Sequence, residues 1–188
     1  IERFLEKYPE LGSKSKNAFE ILYKSQIGKI SRMFAFGLKD RTTNVINMLK
    51  FLMKAKNPSD VLEENSKNYL MYTRFEEINK KYEKFLEKAS NQENSEKLLF
   101  FQYGGDLSIS SELSNELSFK FPKKIIVVAY FTCVKANISV RGENIREKVL
   151  KSIEGLEGAT GGGHEDAVGV RVRIDDLDKF RKKFEELI

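Results

Sequence analysis

Between residue 17 and about residue 90, apolar side chains recur every three or four positions, the repeat of one helix face. Phe19, Leu22, Tyr23, Ile27, Ile30 and Phe34 mark one such stretch, and Val45, Met48, Leu49 and Leu52 a second. The run Asn57-Pro58-Ser59-Asp60 predicts a helix start: Asn57 suits the N-cap, Pro58 the first turn and Asp60 the positive end of the dipole. The helix begun there is expected to reach about Lys88. Its stripe Met71, Phe75, Ile78, Tyr82, Phe85 and Ala89 steps alternately by four and three, a heptad seam that should pack on another helix.

After the polar stretch 91–97 the repeat changes. "LLFFQY", "KIIVVAYF", "KANISVR" and "VGVRVRI" are short β-rich runs, and the last alternates cleanly, as a half-buried strand does. "SSELSNELSFKF" and "NIREKVLKSIEGL" predict helices between them. Asp175 or Asp176 is placed to cap a final helix carrying Leu177, Phe180, Phe184 and Leu187 inward. The expected order is β-α-β-β-α-β-α. The chain is therefore expected to be α+β or α/β: a helical region over 1–90, a linker over 91–97, and a compact lobe over 98–188 with a mixed sheet flanked by helices.

The 188 residues include 33 Lys/Arg and 28 Asp/Glu, a net charge of +5. The excess is local. Residues 1–60 hold 12 basic against 6 acidic residues, and residues 61–188 hold 21 against 22. Such a basic third either favours a polyanion such as nucleic acid or is a solvated lysine-rich surface; charge alone leaves both open. The longest apolar run, 125–134, is about half of a membrane span, so no membrane partner is expected. Cys133, alone in the sequence, fits a reducing cytoplasm and reads as a small core residue of a strand. One His and one Cys leave no zinc site of the usual His/Cys spacing. Nothing in the sequence supports a Ser-His-Asp triad or a metal bound by this chain.

The densest chemistry is "GATGGGHEDAVG", residues 158–169, where three glycines precede the only histidine. Read as a loop between helix and strand, Gly161, Gly162 and Gly163 could turn consecutive N–H groups toward one anion, and His164 could add a charge-assisted bond. A mobile hinge is the alternative reading. The order helix-glycines-strand excludes the P-loop and the dinucleotide fingerprint, whose glycines follow a strand and open a helix. Arg141, at the end of "NISVR", is either a phosphate fork or an ordinary strand-end surface arginine.

"TGGGHEDAVGVRV" resembles the Gly-Gly-His motif of the DHH-associated domain, the C-terminal lobe of DHH-family phosphoesterases. "KIIVVAYFTCVKANISVRGENI" resembles that lobe's strand-hairpin-Ser-x-Arg segment, and "GDLSISSELSNELSFKFPKKIIVV" its first strand-helix-strand unit. Residues 26–78 resemble, more loosely, the helical connector of RecJ-type single-strand nucleases, and "SVRG" with the Lys-, Asn- and Ile-rich composition resembles archaeal members. The resemblance implies a substrate-binding C-terminal portion of a metal-dependent single-strand DNA or RNA exonuclease of DNA replication and repair. By it, Gly161, Gly162, Gly163 and His164 hold the terminal nucleotide and scissile phosphate, and Arg141 clamps a backbone phosphate. The family's Asp-His-His motif, with manganese or magnesium, is absent here. No residue of this chain is then expected to be catalytic, none to bind a cofactor, and the chain alone is expected to be inactive. A chain opening on Ile1 fits a piece of a longer protein. The expected partner is a single strand or short oligonucleotide. Two alternatives remain within the superfamily: a non-catalytic scaffold with a replication-complex partner, and a phosphodiesterase of oligonucleotides or cyclic dinucleotides.

Overall fold

The computed structural model describes residues 2–13, 17–92 and 95–188. The chain divides into two compact units, Ile1–Glu83 and Lys84–Ile188. The expected linker lies at 91–97, and its residues 93 and 94 are outside the described residues.

The first unit is helical. Short helix α1 (Glu2–Lys7) leads to a 3-10 turn, then to a π-helical turn at Glu20–Lys24. Ser25 interrupts the expected first helix: its hydroxyl accepts the Gly28 N–H at 3.2 Å and so caps α2 (Gln26–Gly37). α3 (Thr42–Leu52) buries only Met48; Ile46, Leu49 and Met53 stay exposed. The expected helix from Asn57 to Lys88 is broken. α4 (Ser59–Leu62) lasts four residues, and α5 (Tyr69–Asn91) starts afresh.

The break has a specific cause. The Asn68 side chain, 2% exposed, accepts the Asn65 N–H at 2.8 Å and donates to the Asp60 and Glu63 carbonyls at 3.1 and 2.8 Å. These bonds satisfy the backbone in a non-helical path. Asn57 does not cap α4; the Asp60 carboxylate instead reaches back to the Lys56 and Asn57 N–H groups at 2.8 and 3.1 Å. The heptad seam is buried as its spacing predicts except at Phe85, which is half-buried against Phe101 and Tyr103 while Leu86 takes the buried place. Met71, Phe75, Ile78 and Tyr82 are buried, and Phe36 of α2 meets the rings of Phe75 and Tyr82 at 6.0 and 5.6 Å.

The second unit is a five-stranded mixed sheet in the order β1-β2-β3-β5-β4. The strands are β1 (Leu98–Gly104), β2 (Ile125–Phe131), β3 (Lys135–Arg141), β4 (Thr160–His164) and β5 (Ala167–Arg173). β1 and β2 are parallel, joined through α6 (Ser110–Lys120); all other pairs are antiparallel. α7 (Arg146–Ile153) and α8 (Leu177–Glu185) cover one face, packing Val149, Leu177, Phe180 and Phe184 on Phe100, Val127, Ile138, Val140, Val168 and Val170. α6 covers part of the other face, through Leu113 and Leu117, and stops at β3.

Tyr103 fixes the start of α6: its phenol oxygen accepts the Ile109 N–H at 2.7 Å, and its ring meets Phe85 at 4.6 Å. Burial pushes the pKa of this phenol well above the ordinary tyrosine value. Asp176 precedes α8 as expected but caps it by position alone; its carboxylate pairs with Lys179 at 2.8 Å. Cys133 differs from expectation. Thr132 accepts the Val134 and Lys135 N–H groups to make the β2–β3 turn, and this turn carries Cys133 into solvent. Among the described residues no helix is long and apolar enough to cross a membrane.

Candidate functional site

The three glycines are not a loop. Thr160–His164 is a strand, β4, paired antiparallel with β5 at the sheet's edge. Sequence periodicity could not show this, because glycine carries no alternation to read. The turn that follows supplies the reason for pairing. The Glu165 carbonyl accepts the Ile145 and Arg146 N–H groups at 2.8 and 3.0 Å, and Asp166 holds the Gly142 and Asn144 N–H groups at 3.1 and 2.9 Å. The hairpin is thus anchored on the first turn of α7, and those helix-terminal N–H groups are occupied.

Each glycine has its own role in the strand. A Cβ on Gly161 would lie 3.0 Å from Ile153 and 3.3 Å from Leu150, so Gly161 faces α7. Gly163 has φ +150°, and a Cβ there would collide with the Ala167 carbonyl oxygen. Gly162 faces the opposite way, and nothing lies within 4 Å of where its Cβ would be.

Register then places nine residues on the face opposite α7 and α8; α6 covers its β3 side, where Ser139 is buried, and leaves its β5 and β4 side open. Asn137, Arg171 and Thr160 form one row across β3, β5 and β4; Ser139, Gly169 and Gly162 the next; Arg141, Ala167 and His164 the last. Neighbouring strands lie about 4.8 Å apart and alternate residues about 6.8 Å apart along each strand. Arg141 and His164 therefore flank Ala167 with Cα atoms roughly 10 Å apart. Side-chain contacts confirm the shared face: Arg171 Nε donates to Asn137 at 3.3 Å, and Ser139 meets Ser110 of α6 at 3.0 Å.

The chemistry of this grid is uneven in a useful way. In its middle row Gly169 and Gly162 are exposed and bare, so a ligand can approach the backbone there, while Ser139 is buried beneath α6. Its end rows carry two guanidinium groups and the imidazole, and none of the nine residues is a carboxylate. Arg141 is held: its Nε donates to Asn115 Oδ1 of α6 at 2.7 Å and its Nη1 to the Val140 carbonyl at 2.8 Å. Arg146 donates to the Gly163 carbonyl at 3.2 Å, tying the strand to α7. The structure brings Arg141, Gly162 and His164 onto one surface and turns Gly161 and Gly163 away from it. Gly169 and Arg171 were missed by motif reading. The alternation of "AVGVRVR" carried the signal, since it puts both on the exposed parity with Ala167.

A family model described as the DHHA1 domain matches residues 94–188, just over half of the sequence. The chain belongs to the DHHA1-domain family. All nine grid residues lie inside the matched DHHA1 segment. The fold is shared with solved structures. RecJ from Thermus thermophilus, in complex with Mg2+, superimposes with a TM-score of 0.64 at 15% identity, covering 98% of this chain and 27% of that one. The pGpG-specific phosphodiesterase PggH from Vibrio cholerae gives 0.61 at 15% identity, covering 98% and 66%. CDC45 from Entamoeba histolytica gives 0.50 at 9% identity, covering 85% and 37%. This DHHA1 chain spans about a quarter of the RecJ chain's length. No curated protein sequence matches it.

Proposed function

We propose that this chain is the substrate-holding portion of a DHH-family phosphodiesterase acting on single-stranded DNA or RNA. The observation that carries the reading is the open grid on the DHHA1 sheet, with Arg141 and His164 in one row beside the bare Gly169–Gly162 strip. Membership of the family and the likeness in fold to RecJ support it.

In this reading a backbone phosphate lies between Arg141 and His164. The bonds to Asn115 and Val140 set the plane of the Arg141 guanidinium before a ligand arrives, so little freedom is lost on binding. The His164 imidazole donates to a phosphate oxygen. The glycine strip admits the sugar-phosphate chain closely enough to meet backbone atoms. Arg171 and Asn137, two rows away and roughly 14 Å along the strands, extend the polar surface past a single nucleotide. Among the described residues no three His, Cys, Asp or Glu side chains are grouped to hold a metal ion. In this reading hydrolysis belongs to the family's Asp-His-His lobe, where manganese or magnesium ions would supply activated water. What this chain does is hold and orient.

The test is binding of a labelled, 5′-phosphorylated short single strand at low and moderate salt. His164→Ala and Arg141→Ala are each expected to lose about 1–3 kcal/mol, the range of a charge-assisted hydrogen bond. Unchanged affinity in both variants would overturn the reading. It would leave a scaffold or small-nucleotide role as the better account.

A further inference from the structure

The N-terminal unit carries a cleft of about 820 Å³ that lies outside the DHHA1 segment. Organic ligands commonly occupy pockets of roughly 300–1,000 Å³. One wall is α3 with the residues after it, and the other is the loop 63–68 with the start of α5. We infer that this cleft is a second binding site, built to take a segment of single-stranded nucleic acid.

Charge comes first. Lys50, Lys54, Lys56 and Lys67 line the cleft, and Asp60 is the one carboxylate among them. Asp60 is already engaged by two backbone N–H groups. Among the described residues none of the four lysines forms a close ion pair, though, behind those two N–H groups, Lys56 and Lys67 help hold the Asp60 carboxyl pKa down. Four ammonium groups facing one engaged carboxylate select an anion.

The floor narrows the choice. Met48 and Met71 are buried beneath the cleft, Phe51 is half-buried, and Leu70 is 53% exposed at its mouth. A flat heteroaromatic ring can stack on such a surface while its phosphate meets lysine. The carboxamide of Asn47 is exposed and makes no hydrogen bond among the described residues, leaving a donor and an acceptor for a base edge. Acidic peptides satisfy the lysines but leave the aromatic floor and the amide without a use.

The walls are pre-set. Asn68 and Asp60 make five hydrogen bonds that fix the path from Lys56 to Asn68. They fix the backbone at Lys56, and the Lys67 N–H, bonded to Asn65 Oδ1 at 3.0 Å, fixes it at Lys67, so the wall is set before a ligand arrives. Three of the twelve basic residues in 1–60, Lys50, Lys54 and Lys56, line this cleft together with Lys67.

The inference stands on the cleft and does not require the sheet-face reading, and one assay separates them. Fluorescein-labelled hexathymidylate is titrated with the whole chain over a range of salt. Lys50→Glu/Lys54→Glu is expected to weaken binding tenfold or more at low salt. Its log–log salt slope should be shallower by about 1.4, at about 0.7 for each phosphate no longer neutralised. Lys50→Arg/Lys54→Arg should restore both. A 5-iodouracil strand should cross-link to the peptide carrying Phe51 or Met71. Unchanged affinity and slope, or cross-links confined to residues 135–173, would overturn the inference. So would competition by thymidine monophosphate or hexaglutamate at the concentration where unlabelled hexathymidylate competes. Loss in the lysine variant but in neither His164→Ala nor Arg141→Ala would keep this site and sink the sheet-face reading; the reverse would do the opposite.

Discussion

Adjacent glycines in β4 make opposite demands, and a methyl group tells them apart. At Gly163 the left-handed φ and the Ala167 carbonyl forbid a side chain. Gly163→Ala is expected to lower the stability of the C-terminal unit by about 1–3 kcal/mol, the cost of a strained backbone residue, read as a fall in its thermal midpoint. At Gly162 the space is open, so Gly162→Ala should melt as the wild type does while blocking the strip. A ligand that leans on Gly162 will then bind more weakly to a protein of unchanged stability. Equal melting temperatures for the two variants would contradict the strand geometry described above.

At the scale of elements, the bonds around Asp60 and Asn68 decide where one helix becomes two. The Asp60 carboxyl is held below the ordinary carboxylate pKa, first by the Lys56 N–H and next by that of Asn57. Its stabilising contribution is therefore present above the unfolded pKa and is lost as pH falls through the lower folded value. Acid titration should show the N-terminal unit weakening below roughly pH 4, with Asp60→Asn flattening that dependence; an identical pH profile for the variant would remove the staple from the account. This break was not legible in the sequence. Heptad spacing reads which side chains face inward, and Met71, Phe75, Ile78 and Tyr82 are buried as it predicts. It cannot read a side chain that diverts its own backbone, as Asn68 does. The same limit applies to the site. Arg141 and His164 could be singled out as residue types. Their shared row needed the register of β3, β5 and β4, and three glycines conceal a strand because period-two reading requires side chains.

For the whole molecule, binding and chemistry should come apart. The purified chain is expected to bind a labelled single strand and leave it intact with manganese present, followed on a denaturing gel. Strand shortening that survives repurification would place hydrolytic residues within this sequence and overturn the division of labour proposed above.

The β2–β3 turn has a practical consequence. Cys133 is exposed there and is the only thiol in the sequence, so a maleimide dye will attach at one place without any substitution. β3 runs from that turn to Arg141, about 20 Å away at strand spacing. The native chain therefore comes with a built-in spectroscopic ruler: a dye on Cys133 and an acceptor on one nucleotide would report which end of the strand arrives at the His164 row, and in which direction it lies.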